Sequence, residues 1–183
     1  MNSFAKLCVY NSMNRLKCFL LVLLSPMVFM ACDSDPDPDP VANSLRFELF
    51  QSSDFEYNGI LEVVELKDGN LELNISLTGA SAPGVSFPAH LHFGAYDAPV
   101  AEIAYMLNPV GGSTLESSTR LSTLTDGENL SFEDFKSFDG HIKIHLAADG
   151  PDYETILVSG NIGMNYTAGM GIDVNKITLC SPE

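Results

Sequence analysis

The sequence contains no tryptophan and few basic side chains. Its 183 residues include nine Lys and Arg against 24 Asp and Glu. All three basic residues of the first 31 positions precede an apolar run, so the remainder carries six basic and 24 acidic groups, a formal charge of −18. Because nucleic-acid affinity depends on Lys and Arg that displace counterions from phosphates, this charge excludes nucleic acid as a default partner.

A hydrophobic run long enough to span a bilayer is also missing near the N-terminus. The apolar stretch at residues 18–30 has 13 residues and follows Lys17, whereas a membrane-spanning helix needs about 20. This pattern predicts a signal peptide at residues 1–31. The stretch 28–32, Val-Phe-Met-Ala-Cys, resembles the lipobox of bacterial lipoproteins, which implies that Cys32 is acylated. The alternative is ordinary secretion with Cys32 as an incidental thiol.

Cysteine is scarce as well. Cys8 and Cys18 leave with the signal peptide and Cys32 carries the lipid, so Cys180 is the only remaining thiol and no internal disulfide is predicted. Residues 32–43 contain the run Asp-Ser-Asp-Pro-Asp-Pro-Asp-Pro, which predicts an extended, solvated tether. We therefore expect a protein anchored to a membrane through the lipid on Cys32, in the bacterial cell envelope, at the outer membrane or the cell surface.

Residues 44–183 show the pattern of an all-β domain. Apolar and polar residues alternate over short spans, which is typical of strands, and turn residues separate the spans as in an antiparallel β-sandwich. About eight strands are predicted, with candidates at 46–49, 60–66, 71–77, 89–93, 100–107, 120–124, 141–147, 155–162 and 172–179. Residues 131–138 instead predict one short helix, because Ser131 suits an N-cap and Phe132 and Phe135 lie three apart.

The four histidines fall into two pairs on predicted strands. His90 and His92 flank the core-facing Leu91, so they share the other face with Cβ atoms about 7 Å apart, close enough to converge on one metal ion. His141 and His145 also share an outer face, but they lie about 13 Å apart along their strand, so one ion cannot easily use both. Taken alone, these patterns also fit histidines that decorate a sheet face and bind nothing.

Several short motifs resemble those of the CHRD domain family, which comprises secreted and envelope β-sandwich domains. Residues 89–94, Ala-His-Leu-His-Phe-Gly, are similar to the family's Ala-His-x-His-x-Gly stretch. His145 is similar to a third family His, and Ser-Gly-Asn-Ile at 159–162 to its return strand. The resemblance spans about residues 45–163. CHRD domains are in turn similar in layout to copper,zinc superoxide dismutase, which implies a Greek-key sandwich of the immunoglobulin-like and superoxide dismutase-like type.

This resemblance also implies a metal site. His90, His92 and His145 take the positions of copper ligands, and Asp149 takes that of a residue that orients the ligands without binding the ion. The bridging His and the zinc site of the dismutase have no counterpart, nor does its Arg near the C-terminus. Because the acidic charge would repel superoxide, the resemblance supports the metal site rather than the dismutase activity.

No other catalytic arrangement is readable from the sequence, since the serines lack a nucleophile elbow and the acid pairs lack a recognisable pocket. We therefore expect a lipid-anchored extracytoplasmic CHRD-like domain that acts as a non-enzymatic binding or envelope module, with a copper or zinc ion on His90, His92 and His145. One alternative is an enzyme that resembles copper-only superoxide dismutase. Another is an adhesion module whose acidic face binds a cationic or calcium-bridged partner.

Overall fold

The computed structural model of the protein describes residues 40–179. The predicted signal peptide at 1–31, the predicted lipidation site at Cys32, the acidic run at 33–39 and Cys180 therefore lie outside the described residues. Within the part that is described, none of the helices has the length and apolarity that a membrane crossing requires.

Eight antiparallel strands and one short α-helix form the domain. The strands are β1 (Pro40–Gln51), β2 (Asn58–Leu66), β3 (Leu71–Thr78), β4 (Ser86–Phe93), β5 (Ile103–Gly111), β6 (Glu116–Leu121), β7 (Asp139–His145) and β8 (Ile156–Gly163). The helix α1 (Phe132–Lys136) precedes β7, and two 3₁₀ turns follow at Pro151–Glu154 and Val174–Lys176.

The strands pair in the order β5-β4-β7-β8-β1-β2-β3-β6, and the resulting sheet folds into two layers. β1, β2, β3 and β6 form one layer, and β4, β5, β7 and β8 form the other, while the end of β1 pairs with β8 at Phe50 and Gln51. The chain crosses from β6 in one layer to β7 in the other, where β7 pairs with β4 and not with its predecessor β6. Such a connection is typical of a Greek key. The predicted all-β antiparallel sandwich is confirmed.

The two edge strands β5 and β6 approach each other and nearly close the sheet. The amide N–H of Asn108 in β5 donates to Oγ1 of Thr119 in β6 over 2.9 Å, and the Asn108 side chain donates to the Ser118 carbonyl. These bonds satisfy polar groups that an open sheet edge would leave unpaired. The result is a sandwich that approaches a closed barrel.

Most predicted strands overlap those observed, but β6 (Glu116–Leu121) begins four residues before the predicted strand 120–124 and shares only two residues with it, and the ends of the domain also differ. β1 begins at Pro40, so residues 40–43 of the predicted tether belong to a strand. The strand predicted at 172–179 is wrong, because this segment contains only the 3₁₀ turn Val174–Lys176 and irregular chain. Its alternating apolar residues do not face a core, since Val174 and Leu179 are both about half exposed.

The helix α1 has the predicted cap and the predicted core-facing side. Ser131 accepts a hydrogen bond from the Asp134 amide, and the Asp134 side chain accepts one from the Ser131 amide, which forms a capping box. Phe132 and Phe135 are buried, and the Phe135 ring lies 6.1 Å from that of Phe47 in β1. The helix therefore contributes aromatic side chains to the core between the layers.

The outer faces of the two layers differ in their exposure to solvent. In β3, buried residues alternate with half-buried or exposed ones, as expected for a strand with one solvated face. In β7 every residue from Gly140 to His145 is buried. The outer face of β4 and β7 is thus covered, and this face carries all four histidines.

Candidate metal centre

The pairing register of β4 and β7 brings the two histidine pairs together. His92 lies directly opposite His141, and His90 lies opposite Lys143. His145 is two residues beyond Lys143, so it is a diagonal neighbour of His90, within reach of a long side chain. A register irregularity between Ile144 and His145 in the pairing of β7 with β8 falls at this position, where a bulge can re-aim a side chain.

His90, His92 and His145 form one cluster. Each offers a ring nitrogen, and these three atoms lie within 4.8 Å of one another. Two nitrogens bound to a single ion at about 2.1 Å lie at most about 4.2 Å apart, so small rotations of the imidazoles bring them into range. The three residues come from two strands that are about 50 residues apart in the chain and share one face of the sheet. The arrangement could bind a metal ion.

Main-chain carbonyls fix the orientation of two of these rings. Nδ1 of His92 contacts the Ala101 carbonyl oxygen at 3.0 Å, and Nδ1 of His145 contacts that of Tyr153 at 2.7 Å. Because a carbonyl oxygen can only accept, Nδ1 of each ring carries the proton and Nε2 carries the lone pair that a metal requires. A carbonyl that holds the second ring nitrogen is the usual outer partner of a metal-binding histidine.

His90 presents its ring differently. Its side chain is 2% exposed, and its Nδ1 atom is buried without a hydrogen-bond partner. A buried polar atom without a partner costs free energy, so native structures rarely keep one without a reason. A metal ion bound at Nδ1 would satisfy this atom, and the residues present therefore fit such an ion.

Burial keeps the three imidazoles neutral. It lowers the pKa of His90 to about 4 and the pKa of His92 to about 2, with smaller contributions from neighbouring His and Lys side chains. The pKa of His145 is also lowered by burial, and the Tyr153 carbonyl partly opposes the shift. Neutral imidazole is the form that coordinates metal ions, so these rings need not release protons before binding at neutral pH.

The fourth histidine lies beside the cluster but outside it. The His141 ring stacks on that of His92, with centroids 4.8 Å apart and planes 11° from parallel. Nδ1 of His141 contacts the Gly94 carbonyl at 2.7 Å, and its Nε2 is buried without a partner. Two parallel stacked rings cannot both direct a nitrogen at the same ion. That one ion cannot easily use both His141 and His145 stays a prediction.

Three chain segments cover the histidine face, and the sequence did not reveal them. The segment after β4 supplies the Gly94 and Ala101 carbonyls, and the turn before β8 supplies Tyr153, whose ring stacks on His145 at 4.6 Å. The C-terminal segment contributes the Thr178 carbonyl, which accepts a hydrogen bond from Nζ of the fully buried Lys143. Carbonyl contacts of this kind leave no signature in the residue types, because every residue has a carbonyl.

A cavity of about 320 Å³ adjoins the cluster at His90. Asp149 and Glu154 line it together with Tyr153, so two acidic residues lie in the wall of the cavity beside His90. Asp149 therefore lies close to the cluster, although the Nδ1 contacts described above are all made by carbonyls. The ligand-orienting role of Asp149 stays a prediction.

Comparison of the chain with known protein families, with characterised proteins and with solved structures finds no match. Inference about its function therefore starts from the geometry of the site.

Proposed function

We propose that this protein is a metal-binding module of the bacterial cell envelope that holds one copper or zinc ion on His90, His92 and His145. The observation that carries the proposal is the convergence of three buried ring nitrogens within 4.8 Å. Burying Nδ1 of His90 without a ligand is costly, since this atom has lost its contact with water and has no hydrogen-bond partner in the described residues. Imidazole nitrogen suits both zinc and copper.

The site is better suited to binding a cation than to turning over an anion. Asp149 and Glu154 line the cavity beside His90, so a cation is attracted into it and an anion is repelled. The formal charge of −18 on residues 32–183 acts in the same direction. We therefore propose a non-enzymatic binding role, in keeping with the similarity of the motifs to those of CHRD domains.

A copper-only superoxide dismutase-like enzyme is the second candidate. The observation in its favour is that the cavity reaches His90, so a small molecule could approach an ion held there. Superoxide consumption by the copper-loaded protein, lost in a variant that cannot bind copper, would support it. Copper binding without superoxide consumption would support the binding module.

Membrane attachment is proposed through a lipid on Cys32, following the lipobox-like stretch at 28–32. Growth of expressing bacteria with a labelled fatty acid tests it. We expect label on the wild-type protein and none on Cys32→Ser, whereas equal labelling of both would contradict the assignment.

Metal content is tested with two matched variants, His92→Phe and His141→Phe. Both histidines are fully buried, their rings stack on each other, and Nδ1 of each contacts a main-chain carbonyl oxygen. The two substitutions should therefore disturb the fold in similar ways. Only His92 belongs to the cluster. We expect one ion per chain for the wild type and for His141→Phe, and loss of the ion from His92→Phe.

Purified protein is stripped with chelator, reloaded with Zn²⁺ or Cu²⁺ and measured by elemental analysis and thermal unfolding. A free ion concentration of 100 times the Kd stabilises the folded state by about 2.7 kcal/mol. Loading should therefore raise the melting temperature of the wild type and of His141→Phe only. Equal metal content and equal thermal shifts in all three proteins would contradict the proposed metal site.

A further inference from the structure

Met106 is the residue of β5 directly opposite His90 of β4. Residues that face each other across an antiparallel pair point to the same side of the sheet, with Cβ atoms about 4.5–5.5 Å apart. Met106 therefore lies on the histidine face, although nothing in its sequence surroundings marks it. It also lines the cavity that adjoins His90.

The exposure of Met106 is unusual for its surroundings. Its side chain is 57% exposed, whereas His90 opposite it is 2% exposed. A methionine at this position buries little apolar area, so packing gives it only a small stabilising role. Its thioether is, however, a soft metal ligand on a side chain with three rotatable bonds, which can reach across to a neighbouring strand.

We infer that Met106 supplies a thioether ligand to the ion held by His90, His92 and His145, and that the site consequently prefers Cu(I) to Zn²⁺. This inference rests on the proposed metal-binding function. The buried, unpartnered Nδ1 of His90 lies on the residue paired with Met106, so a metal bound there is on the side from which the sulfur can approach.

Ligand chemistry provides the selectivity. Thioether sulfur favours Cu(I), whereas structural zinc sites use thiolate, imidazole and carboxylate ligands. Three imidazoles alone serve zinc and copper alike, so the sulfur is the group that separates the two ions. The carboxylates of Asp149 and Glu154 in the same cavity favour either cation and do not discriminate between them.

The test measures Cu(I) and Zn²⁺ affinities of the wild type, Met106→Leu and Met164→Leu. Cu(I) is titrated anaerobically with ascorbate against a chromogenic copper chelator, and Zn²⁺ against a zinc indicator. Met164 is the matched control, because it is 66% exposed and does not line the cavity beside His90. Leucine has a similar volume and lacks the sulfur.

We expect Met106→Leu to weaken Cu(I) binding at least about tenfold, because loss of a ligand costs no less than loss of an outer partner of a ligand, with Zn²⁺ binding changed less than about twofold. Met164→Leu should leave both affinities unchanged. X-ray absorption of the copper-loaded wild type should show a sulfur neighbour that Met106→Leu lacks.

Cu(I) affinity that is unchanged in Met106→Leu, while His92→Phe abolishes copper binding, would overturn the role of Met106 and leave the proposed function intact. Equal losses of Cu(I) and Zn²⁺ affinity in Met106→Leu would overturn the selectivity. A wild-type protein that binds neither ion would overturn both proposals together.

Discussion

Acidification should destabilise the metal-free folded protein over the range in which histidine titrates. Burial lowers the pKa of His90 and of His141 to about 4 and that of His92 to about 2, whereas an unfolded histidine titrates near 6.5. Between these values the unfolded chain binds protons that the folded chain does not. The folded state therefore has its full stability above about pH 7 and loses stability as the pH falls below 6.5.

The size of the effect follows from the same pKa values. At pH 5, each imidazole with a folded pKa of about 4 or lower costs about 2 kcal/mol relative to pH 7.5, so the three together cost about 6 kcal/mol. Domains of this size are typically stable by about 5–15 kcal/mol in total.

The assay is urea denaturation in the presence of chelator at pH 7.5, 6 and 5, followed by far-ultraviolet circular dichroism because the chain has no tryptophan. His141→Phe removes one of the four buried imidazoles while leaving the cluster, so its free energy of unfolding should fall by about 2 kcal/mol less than that of the wild type between pH 7.5 and pH 5. A free energy of unfolding that is flat from pH 7.5 to pH 5 would refute the reasoning, because it would mean that the histidines titrate alike in the folded and unfolded chains.

Two further predictions concern a buried charge and the aromatic core. Lys143→Met should raise Zn²⁺ affinity at least about tenfold in a competition titration, because it removes a fully buried cationic side chain opposite His90; weaker binding would show that Lys143 supports the site instead. Phe135→Ala should lower the free energy of unfolding in urea by about 3–5 kcal/mol, since its fully buried ring packs against Phe47 and Phe138; a loss under about 1 kcal/mol would show that the core collapses around the gap.

Much of the fold was predictable because its signals are local. Alternation of apolar and polar residues marked the strands, and the spacing of Phe132 and Phe135 after Ser131 marked the helix. The same alternation failed for residues 172–179, where period-two apolar residues lie in irregular chain. A periodic pattern shows which side chains can share a face, but it does not show whether a neighbouring strand is there to pair with.

The candidate site was predictable in its residue types and not in its surroundings. Two histidines separated by one residue share a strand face whatever the fold, so His90 and His92 could be paired from the sequence alone. The choice of His145 over His141 as the third member depended on the resemblance to CHRD motifs and on strand spacing. Met106 was missed because its position opposite His90 depends on the register of β5, which its own sequence does not specify.

The sequence by itself determined the acidic charge, the strand periodicity and the facing of each histidine pair, because each depends only on residue type and on neighbours within a few positions. The tertiary structure decided that β7 pairs with β4, that carbonyls of three separate segments cover the histidine face and that the rings are buried and neutral. These features depend on contacts between residues far apart in the chain. Burial and convergence, and not residue type alone, turn three of the four histidines into a candidate metal centre.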